Sequence, residues 1–293
     1  MLYLFLCILS STGIFVVFKF IDRNSLPSFP VILINYLVAS IIGFTLHASF
    51  PTMDMILELP WLPLSVLIGF LFIVMFFVIA LSSNRAGLSI TTVASKMSVV
   101  FPITFSILIG PDDRLTPVKL LAIAATLTGV LLTVYQSDKS KRQKGRMIIP
   151  LLLFIGMGVV DSLVKYAQHA YVDNGERALF SAVLFMMAFI TGLLFIPLRA
   201  KHVRGFRNWR VWVWGLTLGI FNFGSIFFMV SALNHVRPTG EGIDSSIIFG
   251  SNNIGIVTLS VLIGFAVFRE RLRPVNWIGI LISLIAIVLF SIS

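Results

Sequence analysis

Charge is scarce in this sequence, and acid is scarcer than base: 12% of the 293 residues are charged, with 22 Lys and Arg against 12 Asp and Glu. Soluble domains average about 25% charged residues, so a soluble enzyme and a disordered chain are both excluded. Cysteine occurs once, at Cys7; a lone cysteine forms no internal bridge, which excludes a disulfide scaffold. Four histidines in no Cys/His cluster suggest no metal site. A nucleotide-binding loop is missing as well, and no cofactor is expected. Long polar segments are lacking, so there is no room for a soluble output domain. What fills the chain is apolar: 58% hydrophobic residues and a mean hydropathy of +1.01. These values describe an integral membrane protein.

A helix crossing the bilayer core needs about 20 mostly apolar residues. Ten such stretches stand at roughly 2–20, 30–49, 61–81, 88–109, 117–136, 147–169, 177–198, 211–232, 243–268 and 275–292. An apolar segment in lipid must satisfy its own backbone hydrogen bonds, so the spans are expected to be helices. A transmembrane barrel would alternate at every second residue, whereas these runs are continuous. The first run has no basic leader before it and no small-residue cleavage site after it, so it reads as a retained span. Pro102 falls inside the fourth span, where it removes a backbone donor and should kink the helix. Trp61, Trp209, Trp212, Trp214 and Trp277 fall near span boundaries and read as an interfacial aromatic belt.

The net charge of +10 would suit a nucleic-acid binder, but its distribution gives another meaning. With the connectors numbered one to nine, the odd ones and their flanks hold 16 of the 22 basic residues and three acids. The even ones hold four basic residues and eight acids. Lys96, Lys165 and Asp161 fall within spans. Cytoplasmic loops carry the Lys/Arg excess, so the odd connectors are expected in the cytoplasm and both termini on the far side of the cytoplasmic (inner) membrane. The basic runs 139–146 and 199–210 could also touch anionic lipid head groups. Basic residues spread between spans leave no nucleic-acid surface.

Internal similarity divides the chain. Arg114-Leu115-Thr116-Pro117-Val118 resembles Arg271-Leu272-Arg273-Pro274-Val275. Residues 104–110 (TFSILIG) resemble 258–264 (TLSVLIG), and 76–82 (FFVIALS) resemble 227–233 (FFMVSAL). Phe18-Lys19-Phe20 resembles Val164-Lys165-Tyr166. The matches run in one order and predict two five-span repeats, 1–146 and 147–293. An odd number of spans per repeat turns the second upside down relative to the first. Inverted repeats of this kind characterise many secondary transporters, whose site lies near mid-membrane between the halves.

These residues resemble the drug/metabolite transporter superfamily in its ten-span EamA-type form. The similarity rests on Lys19 and Lys165 near the end of the first span of each half, Ala80-Leu81 and Ala232-Leu233 ending the third, Pro102 in the fourth, and Glu270-Arg271-Leu272 before the last. It covers nearly the whole chain. Departures are Asp113-Arg114-Leu115 where Glu-Arg-Leu is common, Ile256 or a neighbour where the ninth span would carry proline, and Thr12-Gly13 in place of Trp-Gly. Many relatives keep both termini in the cytoplasm, the reverse of what the charge bias gives. The resemblance implies a carrier of small metabolites, amino acids or drugs, and does not choose among them.

Polar residues inside spans are the candidate site, because a charge at mid-membrane costs about 2.5–3.5 kcal/mol on insertion scales and usually faces a cavity or partner. Lys96 lies in the stretch Thr91 to Ser98 beside Ser95. It reads as a substrate or coupling residue, or as a structural or snorkelling lysine. Asp161 and Lys165 are four apart on the sixth span and share a face. They read as an intrahelical ion pair, or as a proton-sensitive site that His169 would extend. Asn252 and Asn253 stand in a polar stripe with Ser245, Ser246 and Ser251; Asn222 and Asn35 are further candidates. Gly215 and Gly219 read as a packing pair.

The expected architecture is therefore an all-α polytopic protein of ten transmembrane helices in two inverted repeats. The expected activity is secondary transport, in the export direction, of small metabolites or amphipathic compounds by alternating access. The alternative is a membrane-embedded lipid-modifying enzyme, which would need a convergent His, Cys or carboxylate cluster. No catalytic residue is assigned. The expected partners are a small-molecule substrate and the lipid bilayer; the oligomeric state is open.

Overall fold

A backbone that leaves water has one local remedy, the helix, and helices make up the regular structure of the computed structural model, which describes residues 2–46, 52–109, 116–135, 141–171, 177–196, 204–233 and 245–291. In chain order they are α1 (Leu2–Arg23), α2 (Ser28–Leu46), the short α3 (Met53–Leu57), α4 (Leu62–Arg85), α5 (Leu88–Met97), α6 (Val100–Ile109), α7 (Pro117–Val134), α8 (Lys141–Ala170), α9 (Arg177–Leu194), α10 (Trp209–Leu233), α11 (Ser245–Ala266) and α12 (Pro274–Ser291). Eight spans are long and apolar enough to cross a membrane, counting α5 with α6 as one; α9 and α12 supply shorter apolar helices. The short α3 and a 3-10 turn at Arg204–Arg207 were not foreseen.

Helix ends follow local chemistry. Thr116 caps α7 by accepting from the Lys119 amide at 3.1 Å, and Pro117 fills the first helical position, where its missing donor is not needed. The C-terminus of α1 closes with Ser25 at φ 53°, the Leu26 amide reaching back to the Ile21 carbonyl at 3.0 Å. The α7 C-terminus is closed by a side chain far along the chain. The buried Asn276 amide donates to the carbonyls of Leu132 (3.2 Å), Thr133 (2.8 Å) and Tyr135 (3.0 Å).

The helices pack as a bundle in which α1 lies against α10 and α11, α2 against α9 and α10, α4 against α8 and α9, α5 against α8 and α11, and α7 against α12. Gly215 and Gly219 let α10 approach α2 closely; a Cβ there would fall 2.6 Å from Ile34 and 2.7 Å from Val38. A smaller apolar cluster joins Trp61, Ile68, Ala167 and Phe180. Trp61 corrects the belt reading: it is fully buried, edge-on to Phe180 at 5.2 Å, because α9 packs over the start of α4. Trp209, Trp212 and Trp277 are exposed as the belt requires.

The described parts of the odd connectors gather at one end of the bundle. Asn84 donates to Asp22, Gly205 lies against Pro27 and Pro30, and Asn276 holds the end of α7. This end carries Arg23, Arg85, Arg204, Arg207, Arg210, Arg269, Arg271 and Arg273. Charged residues at 110–115, 136–140, 172–176, 197–203 and 234–244 lie outside the described residues, as do the side chains of 141–146, His169, Ser245 and Ser246.

Candidate functional site

Pro102 builds the site by what it lacks. Without an amide hydrogen it leaves the Ser98 carbonyl unserved, and the Phe101 amide takes that carbonyl in a tighter i to i+3 bond of 2.9 Å. The fourth span therefore breaks between α5 and α6 at Ser98 and Val99. The expected kink is a full interruption. At the break the Ser98 hydroxyl is 3.1 Å from an Asp161 carboxylate oxygen and 2.6 Å from the Ser95 carbonyl.

Asp161 thus meets the first half of the chain. Its carboxylate interacts electrostatically with Lys96, and Cys7 of α1 lies within electrostatic range of Lys96. The Cys7 thiol donates to the Ser225 carbonyl of α10 at 3.2 Å. Four helices, α1, α5, α8 and α10, converge on these groups. Asn222 stands one turn before Ser225, with its amide nitrogen buried and without a protein partner among the described residues. Asn252 stands one turn before Gly255, which packs on Ile8 next to Cys7; its side-chain oxygen is likewise unpaired. Thr12 adds an unpaired buried hydroxyl on α1. Leaving a buried polar group unserved costs about 1–3 kcal/mol; Asn35, Ser83, Thr133, Ser260 and Ser283 carry such atoms elsewhere in the bundle.

Other sequence candidates fall elsewhere. Lys165 is exposed and donates to the Pro102 carbonyl at 3.4 Å, on the far side of the break from Lys96. Asn35 is fully buried in α2 beside Gly219, with both side-chain polar atoms unpaired. Asn253 is half-buried. Sequence reasoning missed Cys7 and Ser98 as members of the site. Ser98 stood at the end of the quoted hydroxyl-rich stretch, four residues before a proline, and that spacing was the available signal.

A second arrangement ties helices together at the odd-connector end. Glu270 follows α11 and reaches the start of α5, where its carboxylate accepts the amides of Leu88 and Ser89 and the Ser89 hydroxyl, the last two at 3.1 and 2.9 Å. Gly87 leads into this helix at φ +99°, a conformation suited to glycine, and a Cβ there would strike the Glu270 carboxylate at 2.8 Å. Lys19 of α1 lies 3.4 Å from the same carboxylate and donates to the Ser83 carbonyl at 3.0 Å. One carboxylate thus ties α11 to α5 and α1. Both residues were noticed as motif members, but nothing in the sequence joined positions so far apart.

Comparisons with known proteins agree with this frame. An uncharacterized protein of Haemophilus influenzae is 26% identical over 291 residues, covering 97% of this chain and 95% of its own length. A protein of known crystal structure superposes with a TM-score of 0.56 at 14% identity, over 98% of this chain and 94% of that one, a likeness of fold. Residues 147–292 match the EamA-like transporter family. With its second half so matched, the chain belongs to the EamA-like transporters of the drug/metabolite transporter superfamily, membrane carriers of small compounds.

Proposed function

We propose that the chain is a secondary transporter in the cytoplasmic membrane, exporting small metabolites or amphipathic compounds by alternating access. The carrying observation is that Asp161 on α8 meets Ser98 at the break in the fourth span, two residues after Lys96 on α5, so that opposite charges from the two halves interact there. A ligand held there touches both halves at once, as a carrier site must. The packing supports two inverted repeats. Exchanging the halves maps α1 on α10 to α8 on α4, α2 on α10 to α9 on α4, and α1 on α11 to α8 on α5 and α6. The α7–α12 pair maps onto itself. The charge partition supports a cytoplasmic odd-connector end with both termini outside. The family match does not favour a lipid-modifying enzyme.

In this reading Lys96 and Asp161 bind substrate or carry the coupling, with Ser95, Asn222, Asn252 and Asn253 as further lining. The test is a metabolite screen on cells lacking and overproducing the protein, then flux into proteoliposomes. A substrate-dependent flux that Lys96→Ala abolishes, with normal membrane insertion, is the expected result. Full activity of Lys96→Ala would remove this residue from the site. No flux for any compound depleted or accumulated in the cells would refute transport.

A further inference from the structure

Two cavities adjoin at the odd-connector end and share Lys19. The larger, about 520 Å³, lies between the ends of α1 and α11 and is lined by Lys19, Asp22, Arg23, Val267, Phe268 and Arg269. The smaller, about 300 Å³, has Arg85, Arg271 and Arg273 in its walls beside Glu270. Both carboxylates are engaged: Asp22 accepts from Asn84, and Glu270 serves Lys19 and the start of α5. Among the described residues Arg23 and Arg269 make no ion pair. The larger cavity therefore presents two free guanidinium groups, beside an Asp22 carboxylate held by Asn84 and a Lys19 ammonium already shared with Glu270 and the Ser83 carbonyl. Its volume lies in the range of small-ligand pockets.

Arg269 is placed against its own backbone preference. It sits at φ 53°, in the left-handed region where glycine is at ease and other residues are strained. Around it the Phe268 amide bonds to the Ile263 carbonyl at 3.3 Å and the Glu270 amide to the Gly264 carbonyl at 2.9 Å. Glycine would fit this turn without strain; what arginine adds is its side chain, and that side chain lines the cavity.

We propose that the larger cavity binds a phosphate-bearing anion. Guanidinium groups grip phosphate oxygens in pairs, and with Lys19 held by Glu270 and Asp22 also in the wall, Arg23 and Arg269 match a singly charged phosphate group. The position, outside the central site and at the C-terminal ends of α1 and α11, admits two sources of the same chemistry. One is an anionic phospholipid head group, with Val267 and Phe268 against its glycerol end. The other is a soluble phosphate ester.

The test uses the full-length protein in neutral detergent and follows thermal unfolding. Phosphatidylglycerol, phosphatidylcholine, glycerol phosphate and inorganic phosphate are added separately at constant ionic strength. A rise in Tm with phosphatidylglycerol alone assigns the lipid head group; a rise with a soluble phosphate assigns the ester. In either case the Arg23→Gln/Arg269→Gln pair should weaken the effect by roughly tenfold or more. The Arg204→Gln/Arg207→Gln pair removes the same charge from the same end, off the cavity, and should keep the effect. Arg269→Gly relieves the backbone, so it should hold or raise the Tm without ligand while reducing the anion-dependent rise. No rise with any phosphate compound, or equal loss in both double variants, would overturn the proposal.

Discussion

Glu270→Gln is the sharpest test of how the helices are held together at the odd-connector end. Lys19 and Glu270 lie 3.4 Å apart, with side chains 18% and 10% exposed. Their gross attraction at an effective dielectric of 20 is about 5 kcal/mol. Desolvation offsets much of it: exposed pairs yield about 0–1 kcal/mol, while breaking a buried one costs about 3–5 kcal/mol. A pair of intermediate exposure should contribute about 1–3 kcal/mol. Glutamine keeps the shape and one acceptor but gives up the charge-assisted bonds to Leu88 and Ser89. The whole substitution should therefore weaken this tie by about 2–4 kcal/mol. Lys19→Met, which leaves the cap on α5 intact, should remove about 1–3 kcal/mol.

Cys7 is a built-in reporter, since it is the chain's single cysteine and is fully buried in the first third of α1, beside the candidate site. Its labelling by a maleimide reads the open fraction. At 1.4 kcal/mol per decade, a loss of about 2 kcal/mol raises the labelling rate about 30-fold. Glu270→Gln should exceed Lys19→Met, and the double variant should exceed neither by the full sum, because both remove one interaction. Labelling within about twofold of the parent in all three would show that this carboxylate does not hold the helices together at that end.

Asp161→Asn keeps the Ser98 contact but removes the charge that interacts with Lys96. If coupling runs through this carboxylate, the pH dependence of flux should flatten; an unchanged profile leaves Asp161 a structural partner. Asn276→Leu should destabilise by about 2 kcal/mol, because the carbonyls closing α7 lose their donor; a Tm unchanged in detergent would contradict that. A C-terminal reporter active only outside the cytoplasm should signal, whereas a cytoplasmic signal would reverse the orientation.

The helices were legible because lipid leaves a long apolar run few conformations, and Pro102 announced its own break. The site was legible in part. Lys96 and Asp161 stood out through the energy of placing charge in a span, a property of each residue alone. Their meeting was not legible: periodicity pairs Asp161 with Lys165 on one helix and cannot say that α5 crosses α8. The joining of Lys19 to Glu270 was hidden for the same reason. Trp61 misled because proximity to a span end says nothing about which neighbour covers it.

The carboxylate of Glu270 has a consequence for how the protein is made. Lys19 enters the bilayer with the first helix, while its counter-ion belongs to the last connector. At synthesis rates of roughly 5–20 residues per second, the interval is on the order of tens of seconds. Over that time the ribosome delivers helices whose partners do not yet exist; α7 likewise waits for Asn276 of α12. Insertion and assembly are thus separated in time. A chain stopped before Glu270 would contain most of the spans while leaving α1, α5 and α7 without their final ties, the kind of intermediate that membrane quality control should recognise.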